Sequence, residues 1–212
     1  MWGKAQLELT LFFHEMTAAL FTAGPNGFQG LDSYQAIDTC TRRQLKEWLA
    51  LYEADGKKNF NRKCSWLLHT GYRHSFNEIA QKLFTMPAAV RSQFLSSYAS
   101  EDKDKLICAS QVMNLLTPAS ILAYDFALLT AMYKAGHRLY YLSEADAYSN
   151  SIYAAKTVQD RYSSWYEYHY ACIAGAYFQS PSYAIASPTG FTGSLLQVTE
   201  RNPAVSWKCR IK

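Results

Sequence analysis

Signatures of the common enzyme classes are missing from this chain. Its 212 residues hold no Walker loop, no G-x-G-x-x-G, no H-E-x-x-H and no G-x-S-x-G. The familiar nucleotide-cradling, zincin and serine-hydrolase arrangements therefore have no footing here. Cysteine is scarce and poorly spaced. Cys40, Cys64, Cys108, Cys172 and Cys209 are odd in number, far apart and without a C-x-x-C pair. That argues against a disulfide framework or a zinc site, and reduced core cysteines are the expectation. Neither a metal nor a cofactor is expected.

Charge is sparse as well. Charged residues make up 18% against 49% hydrophobic, a globular balance that argues against disorder. The net charge of +4 suits an acidic partner and gives nucleic acid little support. Long apolar runs are also lacking. The N-terminal WGKAQLELTLFFHEMTAALFTAG is interrupted by Lys4, Glu8, His14 and Glu15, so it has the pattern of neither a membrane span nor a signal peptide. A cytoplasmic location is the expectation.

What the chain does contain is helix punctuation. Lys4 to Thr22 carries apolar residues at helical spacing and stops at Gly24-Pro25. Thr41-Arg42-Arg43-Gln44, Ser75-Phe76-Asn77-Glu78 and Ser164-Trp165-Tyr166-Glu167 read as capping boxes. Asp55-Gly56, Gly71 and Gly136 read as helix stops. Thr117-Pro118 opens a helix, and Ser143-Glu144-Ala145-Asp146 caps the next. The pattern predicts an all-α domain of about seven to nine helices over residues 1–180. Residues 181–212 read as a C-terminal tail packed on it, in which Leu195–Thr199 and Val205–Ile211 have the composition of a short hairpin.

Several stretches carry candidate chemistry. Asp125 shares a helical face with Ile121, Leu128 and Met132, which makes it a buried acid. It is either a catalytic base or ligand, or a structural acid held by Arg73, Arg138, Tyr72 or the Ser163–Trp165 turn. Arg73 lies among His69, Tyr72 and His74, either as an anion site or as a clamp pairing Asp125. The pair His169 and Cys172 is either a nucleophile with its base or a core contact. Arg42, Arg43, Lys46, Lys57, Lys58, Arg62 and Lys63 form the densest basic neighbourhood, either a contact surface or a solvated face. Nine of the sixteen tyrosines fall between Tyr140 and Tyr177, as interface residues or as a core edge.

Four segments in order carry a resemblance: WLLHTGYRHSF from Trp66, AYDFALL from Ala123, AGHRLYYLSEADAY from Ala135 and QDRYSSWYEYHYACIAGAYF from Gln159. Together they resemble an uncharacterised bacterial family, the one represented by the YbeU and YbeR proteins (domain of unknown function 1266). The resemblance covers Asp38 to Phe178 and implies an all-helical bacterial cytosolic protein, without supplying a reaction. Two departures stand out. That family's pattern has an Arg one helical turn after the Asp, where this chain has Leu128, and an Arg after the last Gly, where this chain has Ala176.

The residues leave three functional readings open. One is a non-enzymatic protein-interaction module, with another protein as partner. A second is a toxin-like effector enzyme acting on nucleic acid or nucleotide, with Asp125, Arg73 and Trp165 as its candidate catalytic residues. The third is an immunity or adaptor protein.

Overall fold

A computed structural model describes residues 4–23, 31–98, 102–179, 190–200 and 203–211. Among the described residues there are eleven helices and no strand. In chain order they are α1 (Lys4–Ala23), α2 (Ala36–Thr39), α3 (Arg42–Ala50), α4 (Gly56–His69), α5 (Gly71–Phe84) and α6 (Ala88–Ser97). Then come α7 (Lys103–Val112), α8 (Leu122–Arg138), α9 (Glu144–Arg161), α10 (Trp165–Gln179) and α11 (Gly190–Thr199). None of them is long and apolar enough to cross a membrane. The all-α expectation holds. The hairpin does not, because Leu195–Thr199 is the last half of α11 and Val205–Ile211 runs as irregular chain. Packing decides this: α11 lies on α1 and α10, which take up its apolar side chains.

The axis of the fold is α8. Thirteen of its residues are buried, from Ala123 to Gly136, and it packs against α1, α4, α5, α9 and α10. An apolar surface on all sides is what a helix surrounded by others needs. Ala123, Ala127, Ala131 and Ala135 recur every fourth residue, a ridge low enough for close approach. Its main partner α9 meets it with a stripe that is also small: Ala147, Ser151, Ala154, Ala155 and Val158.

Buried tyrosine hydroxyls stitch this packing together. Tyr168 donates to the carbonyls of Met16 at 3.0 Å and Ala123 at 3.2 Å, joining α1 to α8 through α10. Tyr162 donates to the Ser120 carbonyl and accepts from the Ala123 amide, each at 3.0 Å. A buried phenol can close the first turn of α8 in this way because both its donor and its lone pair are used. The C-terminal segment is held similarly. Trp165 Nε1 donates to the Val205 carbonyl at 2.9 Å, and Gln159 donates to the carbonyls of Trp207 and Cys209.

Helix ends show where local signals were read correctly and where tertiary contacts overrode them. The Thr41 capping box forms, with Gln44 N–H on the Thr41 hydroxyl at 3.3 Å and Thr41 N–H on Gln44 Oε1 at 2.9 Å. Ser143 caps α9 through the Asp146 amide. Ser164 accepts from Glu167 N–H, but the Glu167 carboxylate reaches the Ser163 amide, one residue earlier than a capping box requires. Ser75 caps nothing: it lies inside α5 and donates to the Tyr72 carbonyl. Thr117-Pro118 precedes a turn, and α8 begins at Leu122.

Two predicted glycine stops are not the stops. After α3 the left-handed residue is Glu53 (φ 58°), with Ala54 N–H on the Leu49 carbonyl and Glu53 N–H on the Ala50 carbonyl. After α8 it is Tyr140 (φ 61°), with Tyr141 N–H on the Gly136 carbonyl and Tyr140 N–H on the His137 carbonyl. Both are Schellman closures built on a side-chain-bearing residue rather than glycine. Gly136 itself is helical, and the Phe60 ring and Leu142 fill the space where a β-carbon would stand, so only glycine fits there.

Gly175 in α10 has the same role against the Tyr124 side chain, whose Cβ cannot move away without the backbone of α8. Replacing Gly175 by Ala is expected to destabilise the fold by about 1–3 kcal/mol through overpacking. Urea unfolding of the variant checks this; unchanged stability would show that α8 and α10 can slide apart.

Candidate functional site

The α4–α5 junction is where the sequence candidates converge. One residue, Thr70, separates the two helices, and Gly71 opens α5 with φ +65°. The last carbonyls of α4 and the first amides of α5 lack partners within their own helices. Arg73 and Asp125 supply them. Arg73 Nη1 donates to the Leu67 carbonyl at 2.7 Å, and Nη2 donates to the Leu68 carbonyl at 2.8 Å. Asp125, reaching across from the first turn of α8, accepts from the Tyr72 amide at 2.8 Å and the Arg73 amide at 3.2 Å. Arg73 Nη1 closes the circuit on Asp125 Oδ2 at 2.8 Å. A carboxylate at one helix N-terminus and a guanidinium at the other's C-terminus both complement the helix dipoles.

This arrangement leaves no room for a side chain at position 71. A β-carbon on Gly71 would overlap the Asp125 carboxylate and the Arg73 guanidinium. Asp125 is fully buried, and Arg73 retains about 15% of its side-chain exposure. Burial pushes the Asp125 carboxyl up to about 6, while Arg73 and the two amides pull it down.

Of the three candidate catalytic residues, the structure brings Asp125 and Arg73 together and places Trp165 in a separate cluster. The Trp165 indole packs against Phe12 at 4.7 Å, Trp207 at 4.8 Å and His169 at 5.4 Å. The expected link from Asp125 to the Ser163–Trp165 turn is made instead by the Tyr162 hydroxyl at the start of α8. Arg138 is likewise elsewhere, donating to the Cys40 carbonyl. Leu128 and Ala176, the two departures from the family pattern, are buried core residues.

The remaining candidates disperse. His69 and His74 are exposed, with His74 3.6 Å from Glu78. Cys172 is fully buried, and burial pushes its thiol far above its ordinary range, which suppresses nucleophilic thiolate. His169 is buried with Nε2 3.4 Å from Glu15 Oε1. Among the described residues no group of three or more His, Cys, Asp or Glu is placed to hold a metal. The basic neighbourhood is a solvated face except at Lys63, which turns inward.

Two concave regions were not foreseen. One, of about 810 Å³, lies between α1, α8 and α9. Its Lys134 is held by Asp38 at 2.7 Å and the Tyr34 carbonyl at 2.9 Å, so its charge is met internally. The other, of about 470 Å³, adjoins the clamp and is lined by Tyr52, Glu53, Arg62, Lys63, Trp66 and Tyr72 among others. The Lys63–Trp66 spacing of three within α4 was the available signal for it, since residues so spaced share a helical face.

A family model described as "Protein of unknown function (DUF1266)" matches residues 42–190. The chain belongs to the DUF1266 family. No curated protein and no solved structure matches it. The DUF1266 match takes in the whole clamp, the adjoining pocket and every helix from α3 to α10, whereas α1 precedes it and packs on α8 and α10.

Asp125→Ala is expected to cost about 3–5 kcal/mol, because it removes the acceptor of two amides and leaves a part-buried guanidinium unpaired. A loss below about 1 kcal/mol, the scale of an ordinary hydrogen bond, would show that the clamp does not hold the junction. The pH dependence has a definite sign. The folded carboxyl binds its proton near pH 6, against an ordinary value of 3.8, so the folded state gains relative stability below that ordinary value and loses it as pH rises through about 6. Urea unfolding from pH 4 to pH 7 should show this drift in the wild type and not in Asp125→Ala. Gly71→Ala, tested alongside, should lower the melting temperature as well.

Proposed function

We propose that this DUF1266 chain is a non-enzymatic protein-interaction module, and that the face formed by the end of α5, by α6 and by the turn after α7 receives the partner. The observation carrying this reading is that α6 has no buried residue and that three large apolar side chains, at the end of α5, on α6 and in the turn after α7, stand in solvent. Phe84 is 73% exposed, Leu115 69% and Val90 51%. Phe84 lines a depression, and exposed apolar side chains beside a concavity mark contact sites. Between α5 and the turn after α7 lies a depression of about 400 Å³ lined by Ala80, Gln81, Phe84, Met113 and Asn114. That lining carries no charge, which suits an apolar side chain from a partner helix better than a phosphate backbone.

The tyrosines give this reading partial support. Tyr153 and Tyr166 are each 58% exposed and available for contact, whereas Tyr162, Tyr168 and Tyr177 belong to the core. The enzyme reading has less to rest on. Asp125 is inaccessible with its oxygens engaged, and Trp165 does not join it. An immunity or adaptor role is a special case of the same reading, distinguished by which protein is bound.

The test uses the full chain and the double variant Phe84→Ser/Leu115→Ser. A protein captured by the wild type is purified, and its affinity is measured for both forms, with circular dichroism confirming equal helix content. Affinity should fall at least about tenfold, or 1.4 kcal/mol. Equal affinity, or a chain that stays partnerless and monomeric, would overturn the reading. So would a homodimer that dissolves in the variant, because it would assign the face to self-assembly.

A further inference from the structure

The pocket beside the clamp has the makings of an anion site. Lys63 is half-buried on α4, and its ammonium lies 4.4 Å from the centre of the Trp66 ring and 5.0 Å from that of Tyr72. Among the described residues neither Lys63 nor Arg62 has a carboxylate within ion-pair distance. The acids nearby are Glu53, exposed in the same lining and acting on Lys63 through space, and Asp125, buried and balanced by Arg73. Burial lowers the Lys63 pKa, as expected of a cation whose lost hydration is replaced only by ring faces.

The walls are held rigidly. The Tyr72 amide is bonded to Asp125, and its ring packs against Trp66 at 4.9 Å and Tyr124 at 5.6 Å. Burial keeps the neighbouring Tyr52 phenol protonated, pushed up to about 12. Two cations outside ion-pair distance of any carboxylate, set among aromatic rings, suit a small anionic ligand, and about 470 Å³ falls within the size range of small-molecule sites.

We propose that this pocket binds a small organic molecule through an oxyanion, a phosphate or a carboxylate, that bridges Lys63 and Arg62. This goes beyond the docking face on α5, α6 and α7 and stands or falls separately from it. The oxyanion supplies the negative charge that Lys63 lacks within ion-pair distance.

The experiment is isothermal titration calorimetry of the full chain with inorganic phosphate, adenosine monophosphate and succinate. Saturable binding of at least one is expected, weakening with added salt. Lys63→Met should weaken it at least tenfold, Arg62→Gln should weaken it less, and Lys63→Arg should largely restore it. Lys57→Met, on the exposed basic face, should leave it unchanged. Preference for the phosphates over succinate, or the reverse, assigns the oxyanion. Absence of saturable binding at millimolar concentration for all three overturns the proposal, as does binding that Lys63→Met leaves intact in a variant with wild-type melting behaviour.

Discussion

The buried carboxylate of Asp125 is the constraint around which the helices arrange themselves. An ion taken out of water is costly unless its lone pairs and charge are met. Here they are met by the first amides of one helix and by an arginine that caps the end of another. Three helices are thereby fixed at one point: α4 ends there, α5 begins there, and α8 supplies the acid. Gly71 belongs to the same constraint. Its left-handed backbone makes the sharp turn, and its missing side chain is the space that the ion pair occupies.

The rest of the core follows a related logic. Because α8 is surrounded, its own surface must be apolar and low, which the alanine ridge provides. Polar groups at its first turn still need partners. The hydroxyls of Tyr162 and Tyr168 reach them from neighbouring elements, so large aromatic side chains fill volume and satisfy the backbone together. Trp165 does the same for the C-terminal segment through Val205. Much of the tyrosine and tryptophan content of the last helices is therefore structural, and contact surfaces are left to a smaller set of residues.

Two features remain after the core is accounted for. One is the apolar exposure at α5, α6 and the turn after α7, where α6 has no buried residue and Phe84, Val90 and Leu115 stand in solvent. The other is Lys63, a half-buried cation over two aromatic rings next to the clamp, with Arg62 lining the same pocket. They differ in chemistry and in place. A neutral depression selects for apolar side chains, whereas unpaired cations select for negative charge. The clamp connects to the second only, through Tyr72.

The sequence by itself determined the helical class and the starts of several helices, because caps such as Thr41–Gln44 and Ser143 are made by residues within a few positions of one another. It also singled out Asp125 and Arg73, since an acid on an apolar face must find a partner. Local chemistry could not decide which residues close the helices. Glu53 and Tyr140 adopt left-handed backbones and Gly136 does not; glycine at 136 instead makes room for the Phe60 ring. Nor could it separate Trp165 from the ion pair, turn Leu195–Thr199 into a helix or place Lys63 over two rings. Those outcomes depend on contacts between segments far apart in the chain, whose energies exist only once the helices have packed.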